Sequence, residues 1–205
     1  MHGFVQLVRI LLARGVDANQ HDRFHRSMLS LATDYGLVEM VKLLLSHGAD
    51  VDSTDYQGRA AVSYATDRGY LAIVHLLLDA GAQINTADKN GCTPLMLAVL
   101  KNHDGLVRQL VQRGADIHME NKRGRTALSF AASAGLDQIV QYLVSQGANG
   151  NHVSLAGRSP CVLCGGKKCE SSNQGSRGSG LSTNSLLEVE WPSPDAYDGM
   201  QFSCE

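Results

Sequence analysis

The run from Gly36 to Asp55, GLVEMVKLLLSHGADVDSTD, returns from Gly69 to Asp88 as GYLAIVHLLLDAGAQINTAD and from Asn102 to Asn121 as NHDGLVRQLVQRGADIHMEN. A further copy starts at Gly135 and a shortened one at Gly3, so the starts at 3, 36, 69, 102 and 135 are spaced 33 residues apart. No other feature constrains the chain as tightly. A fixed period of this length marks units that cannot bury their apolar faces alone and must stack to do so. The expected architecture is an open array in which each unit touches only its neighbours.

Within one unit the local chemistry is legible. Asp55-Tyr56-Gln57-Gly58, Asp88-Lys89-Asn90-Gly91 and Asn121-Lys122-Arg123-Gly124 carry the type I turn signature, with Asp or Asn first and Gly fourth. A helix start follows, clearest at Thr93-Pro94, where Thr caps free N–H groups and Pro takes the first helical position. This first helix is short and rich in small and apolar residues. It is predicted to end at Gly36, Gly69, Asn102 and Gly135, the residue types that best tolerate a left-handed turn. The second helix places Met40, Val41, Leu44 and Leu45 on one face, matched by Ile73, Val74, Leu77 and Leu78 and by Ile139, Val140, Leu143 and Val144. It ends at Gly48, Gly81, Gly114 and Gly147. Each fully buried Leu or Ile contributes roughly 1.5–3 kcal/mol, so these rows carry most of the stability.

The unit of turn, helix and helix resembles the ankyrin repeat, with its period of about 33 residues and T-P-L-H-x-A core. Gly91-Cys92-Thr93-Pro94-Leu95-Met96-Leu97-Ala98 and Gly124-Arg125-Thr126-Ala127-Leu128-Ser129-Phe130-Ala131 carry that core, and the LLLxxGAD segment is complete from Leu43 to Asp50. The resemblance spans about residues 1–164 and implies an all-α solenoid of helix-turn-helix repeats with β-turn tips. The motif's His is replaced by Ser30, Ser63, Met96 and Ser129. By the resemblance, that loss weakens the hydrogen bonding from turn to turn.

Four complete repeats are expected over residues 22–153, at 22–54, 55–87, 88–120 and 121–153. Residues 1–21 hold a truncated repeat with a second helix only. Leu7, Val8, Leu11 and Leu12 would then pack on one side, which fits a piece of a longer array better than a polar cap. Residues 154–164 begin a partial repeat, with Cys161 and Cys164 at packing positions. Residues 165–205 are Gly/Ser-rich and then acidic, a composition expected to be disordered. The first repeat has His25 where the others have Gly, a strained but accessible turn position. Gly105 inside a second helix makes 88–120 the interior unit expected to exchange its amides fastest.

Composition excludes several classes. A formal net charge of −2 gives no global case for nucleic acid or an anionic membrane, and no apolar stretch approaches a membrane span. The N-terminus lacks a basic leader and a cleavage site, and reads as helix. The five cysteines are odd in number, and three of them crowd at 161, 164 and 169, which argues against a disulfide framework and for a reducing intracellular compartment, cytoplasmic or nuclear. Cys161-x-x-Cys164 with Cys169 is half of a zinc pattern without its second half. Packing explains two of the three, so no metal and no cofactor is expected. Cys92 has no basic neighbour to activate it, and His47, His103 and His118 are read as solvated side chains. No nucleophile–base pair and no phosphate loop appears, so no enzyme is expected.

What remains is a surface. The resemblance implies a concave binding face made of turn tips and the exposed side of the first helices. Carried onto this chain, that face holds Arg23, Phe24, Arg26, Tyr35, Tyr56, Gln57, Arg59, Arg68, Lys89, Asn90, Lys101, Lys122, Arg123 and Arg125. Solvated turn tips carry Lys and Arg whether or not anything binds. The functional reading is a scaffold, monomeric itself, that recognises an acidic or aromatic-rich segment of another protein. A second reading makes the repeats a regulatory arm of a larger enzyme or transport protein. The tail after Arg177 has no Lys or Arg but has Glu188, Glu190, Asp195, Asp198 and Glu205, with Trp191, Tyr197 and Phe202 between them. It is itself a candidate visitor to the basic face.

Overall fold

The turn of each repeat is held by one side chain. Asp55 Oδ1 accepts from the backbone N–H of Gln57 at 2.8 Å and of Arg59 at 2.9 Å. Asp22, Asp88 and Asn121 make the same pair of bonds to residues two and four positions on. The turn then closes by a backbone bond from the fourth residue to the first, such as Gly91 N to Asp88 O at 2.8 Å. That fourth residue has positive φ in every copy: His25 at 61°, Gly58 at 74°, Gly91 at 79° and Gly124 at 66°. His25 therefore adopts the left-handed turn predicted for it.

The computed structural model describes residues 2–150, with side chains from residue 5 onward. Among these, α1 (His2–Ala13) precedes four helix pairs: α2 (Met28–Asp34) with α3 (Val38–Ser46), α4 (Ala61–Arg68) with α5 (Leu71–Asp79), α6 (Pro94–Leu100) with α7 (Asp104–Gln112), and α8 (Ala127–Ser133) with α9 (Asp137–Ser145). Ser27, Thr93 and Thr126 cap α2, α6 and α8 by accepting from the N–H three residues on, and Pro94 opens α6. Asn102 ends its first-helix segment at φ 55°, as Gly36, Gly69 and Gly135 end theirs at 66–77°.

The first helices form one row, α2 on α4 on α6 on α8, and each packs against the second helix of its own repeat. The core runs between the rows as a continuous band. Leu29, Val62, Leu95 and Leu128 come from the first helices, and Leu44, Leu77, Leu110 and Leu143 from the second, all at most 1% exposed. No strand occurs among the described residues, and none of their helices is long and apolar enough to cross a membrane. The cysteine cluster, the partial repeat at 154–164 and the tail lie outside the described residues.

Gly105 sits near the start of α7, where an added Cβ would meet nothing within 4 Å. Gly105→Ala is expected to stabilise the chain by roughly 0.5–1 kcal/mol. Hydrogen exchange should then slow first in 88–120. Faster exchange there in the variant would contradict the assignment of Gly105 as the weak point.

Candidate functional site

The turn tips form a single row tied together by backbone. Tyr56 N donates to Phe24 O at 3.3 Å, Lys89 N to Gln57 O at 2.8 Å and Lys122 N to Asn90 O at 2.9 Å. Replacement of the motif's His was expected to weaken this linkage. The ladder is nonetheless complete across all three junctions, because main-chain groups carry it. The approach is close enough to require glycine at two tips. A Cβ on Gly91 would stand 3.0 Å from Asn121 Cα and Lys122 N, and one on Gly58 3.2 Å from Lys89 N.

The fourteen residues read as the binding face divide into three groups. Four cations are held by carboxylates of the scaffold. Arg26 pairs with Asp22 at 2.8 Å, Arg59 with Asp55 at 3.0 Å, Arg68 with Asp34 at 2.8 Å and Lys101 with Asp67 at 3.3 Å. The last two are rungs between successive first helices, and at the third junction the corresponding residues are Leu100 and Ala134. Arg125 lies 3.9 Å from the centre of the Phe130 ring and donates to Ser133 Oγ at 2.8 Å.

The second group is Arg23, Lys89, Lys122 and Arg123. They are exposed, and among the described residues none of them forms an ion pair. Three of the four sit on the last two tips, beside the exposed Asn90. The third group is aromatic and belongs to the first two repeats. Tyr35, Tyr56 and Phe24 are 70%, 58% and 53% exposed, with Gln57 exposed beside Tyr56. His25 adds a ring 5.3 Å from Tyr56 and 4.5 Å from His21. The row thus changes from aromatic to basic along its length.

Sequence reasoning missed the anchoring of Arg59. Asp55, 7% exposed, accepts from Tyr64 Oη at 2.6 Å and from Arg59 Nε at 3.1 Å, while Arg59 Nη2 reaches Tyr64 Oη at 2.9 Å. Burial pushes the Asp55 carboxyl upward, but bonds from Tyr64, Arg59 and Gln57 outweigh it and leave the group below its ordinary value. Burial, and donation to that carboxylate, push the Tyr64 hydroxyl up. The available signal was the recurrence of Arg four residues after Asp in Asp22…Arg26 and Asp55…Arg59.

One other reading changes. His103 is half-buried with its ring against Gly69, where a Cβ would stand 2.8 Å away, so it packs rather than points to solvent. Cys92 is fully buried, with Asn121 Nδ2 donating toward its Sγ at 3.9 Å, in keeping with the reading of it as unactivated. Among the described residues no group of three or more His, Cys, Asp or Glu is placed to hold a metal. At the far end of the array, Val5, Arg9, Tyr35, Leu37, Val38 and Met40 line an open groove of about 450 Å³.

A search of curated proteins returned no match. The family model described as ankyrin repeats in three copies matches residues 1–88 and again residues 81–154. Repeated turns, paired helices and this match over most of the sequence agree: the chain belongs to the ankyrin-repeat family.

Proposed function

We propose that the array is a non-enzymatic adaptor that binds another protein across the row of turn tips and the adjoining ends of the first helices. Ankyrin repeats generally serve as protein–protein interaction modules, typically without catalysis. The observation that carries the finer reading is the coexistence of exposed rings, Phe24 and Tyr56 at the tips and Tyr35 at the end of α2, with the tip cations Arg23, Lys89, Lys122 and Arg123. Aromatic and Arg side chains supply large contact area and several bonds at interface centres. Cations with no ion pair among the described residues reward a carboxylate without first having to leave one. The partner that fits is a segment carrying acidic residues and apolar or aromatic anchors, bound by a single copy of this chain. Arg68 and Lys101 can join it, since half-exposed ion pairs of their kind are worth at most about 1 kcal/mol.

The uncovered apolar side of α1, where Leu7, Ile10 and Leu11 are 52%, 51% and 41% exposed, favours a second reading as a regulatory arm within a larger protein. The adaptor reading is tested by the triple change Lys89→Glu, Lys122→Glu and Arg123→Glu. Capture of an acidic peptide library is expected to fall by at least about tenfold, a difference of 1.4 kcal/mol, while thermal unfolding stays unchanged. Undiminished capture with the fold intact would overturn the assignment of the face.

A further inference from the structure

We propose that residues 188–202 of the same chain lie across the basic end of the tip row, as a tethered ligand that outside partners must displace. The inference rests on the reading of the tips as a binding surface and names that surface's first occupant. Two sequence facts and two structural facts meet here. The segment EVEWPSPDAYDGMQF carries Glu188, Glu190, Asp195 and Asp198 with Trp191, Tyr197 and Phe202, and no Lys or Arg follows Arg177. The last two tips expose Lys89, Lys122 and Arg123, which make no ion pair among the described residues. The next tip along the row exposes Tyr56 and Gln57. A ligand in which carboxylates and rings alternate can meet a row that carries both cations and rings.

The reach also fits. The Gly/Ser-rich stretch 165–187 precedes Glu188, and a flexible connection of that length spans roughly 25 Å before the segment's own length is added. Four tips at helix-packing distances of 8–10 Å cover about 30 Å. The connection leaves from the fourth repeat, whose own tip holds Lys122 and Arg123, so Glu188 and Glu190 at the start of the segment meet cations first. Tethering supplies an effective concentration in the millimolar range, at which even a weak contact is occupied for a large fraction of the time. The opposed charges steer the encounter, and an outside partner of the same chemistry binds more weakly by the factor that this occupancy sets.

Trp191 is the sole tryptophan, so its fluorescence in the intact chain reports this contact alone. In the full-length protein at low salt, Trp191 is expected to be shielded from acrylamide, a neutral quencher. Lys89→Glu, Lys122→Glu and Arg123→Glu together should raise the quenching constant about twofold, as expected for loss of a contact of millimolar strength. About 1 M salt should have the same effect on the unmodified chain, because exposed charges are then screened beyond about 3 Å. The charge-retaining set Lys89→Arg, Lys122→Arg and Arg123→Lys should keep the shielding, which separates charge from damage to the turns. Equal quenching in the unmodified and charge-reversed chains would overturn the proposal. Shielding that appears only as protein concentration rises would overturn it too, by placing the segment on a second copy. Loss of outside capture with Trp191 shielding intact would instead count against the adaptor reading and leave the tethered contact standing.

Discussion

Leu77→Ala is expected to remove about 2–5 kcal/mol of stability, the range for deleting a buried Leu where surroundings relax only partly. Leu77 is fully buried on α5, in the middle of the band that also holds Leu44 and Leu110. In a domain with one shared centre such a loss lowers a single transition. In a stack, stability is a sum of unit terms and nearest-neighbour interfaces. A weakened second repeat therefore also uncouples the repeats on either side. The urea transition should move to lower concentration and broaden, while Leu143→Ala, in the last described helix pair, should leave the first repeats more nearly intact. Hydrogen exchange resolved by segment checks this. Uniform loss of protection from both variants would contradict stacking as the source of stability.

The second large effect is expected at Asp55. Asp55→Ala removes the acceptor for two backbone N–H groups, a tyrosine hydroxyl and a guanidinium at once. Breaking a buried pair costs about 3–5 kcal/mol, and since Arg59 can turn to water the loss here should be nearer 2–4 kcal/mol. The same site sets a pH dependence. The folded state holds this carboxyl below its ordinary value of 3.8. Its contribution is therefore fully present above that value and is lost as pH falls through the lower folded value. Between neutral pH and about pH 3 the unmodified chain should lose more stability than Asp55→Asn, measured by thermal unfolding at each pH. Equal acid sensitivity of the two would place the carboxylate's partners elsewhere.

The capped helix start at Thr93 and the left-handed positions at His25 and Asn102 were legible from local chemistry. Each depends on one or two adjacent residues, and the period supplied independent copies against which to compare them. The state of the cations was not legible. Arg59 and Lys89 look alike in a sequence, yet one is bound by Asp55 and Tyr64 and the other stands free of any ion pair among the described residues. The rungs from Asp34 to Arg68 and from Asp67 to Lys101 link residues thirty-four positions apart, one step beyond the period. Such an offset depends on how far each helix is displaced along its neighbour, a quantity that no single repeat encodes. His103 was read as solvated for the same reason, since what it packs against is a glycine in the preceding repeat.

The backbone ladder along the tips bears on how such a chain can diverge. Tyr56, Lys89 and Lys122 join their neighbours through main-chain atoms, and their side chains leave the row outward. Shape is inherited from the Asp or Asn that opens each turn and the left-handed residue that closes it, while the two residues between are left to vary at little cost to folding. A lineage can therefore exchange rings for charges at these positions one at a time, acquiring new preferences while each intermediate still assembles.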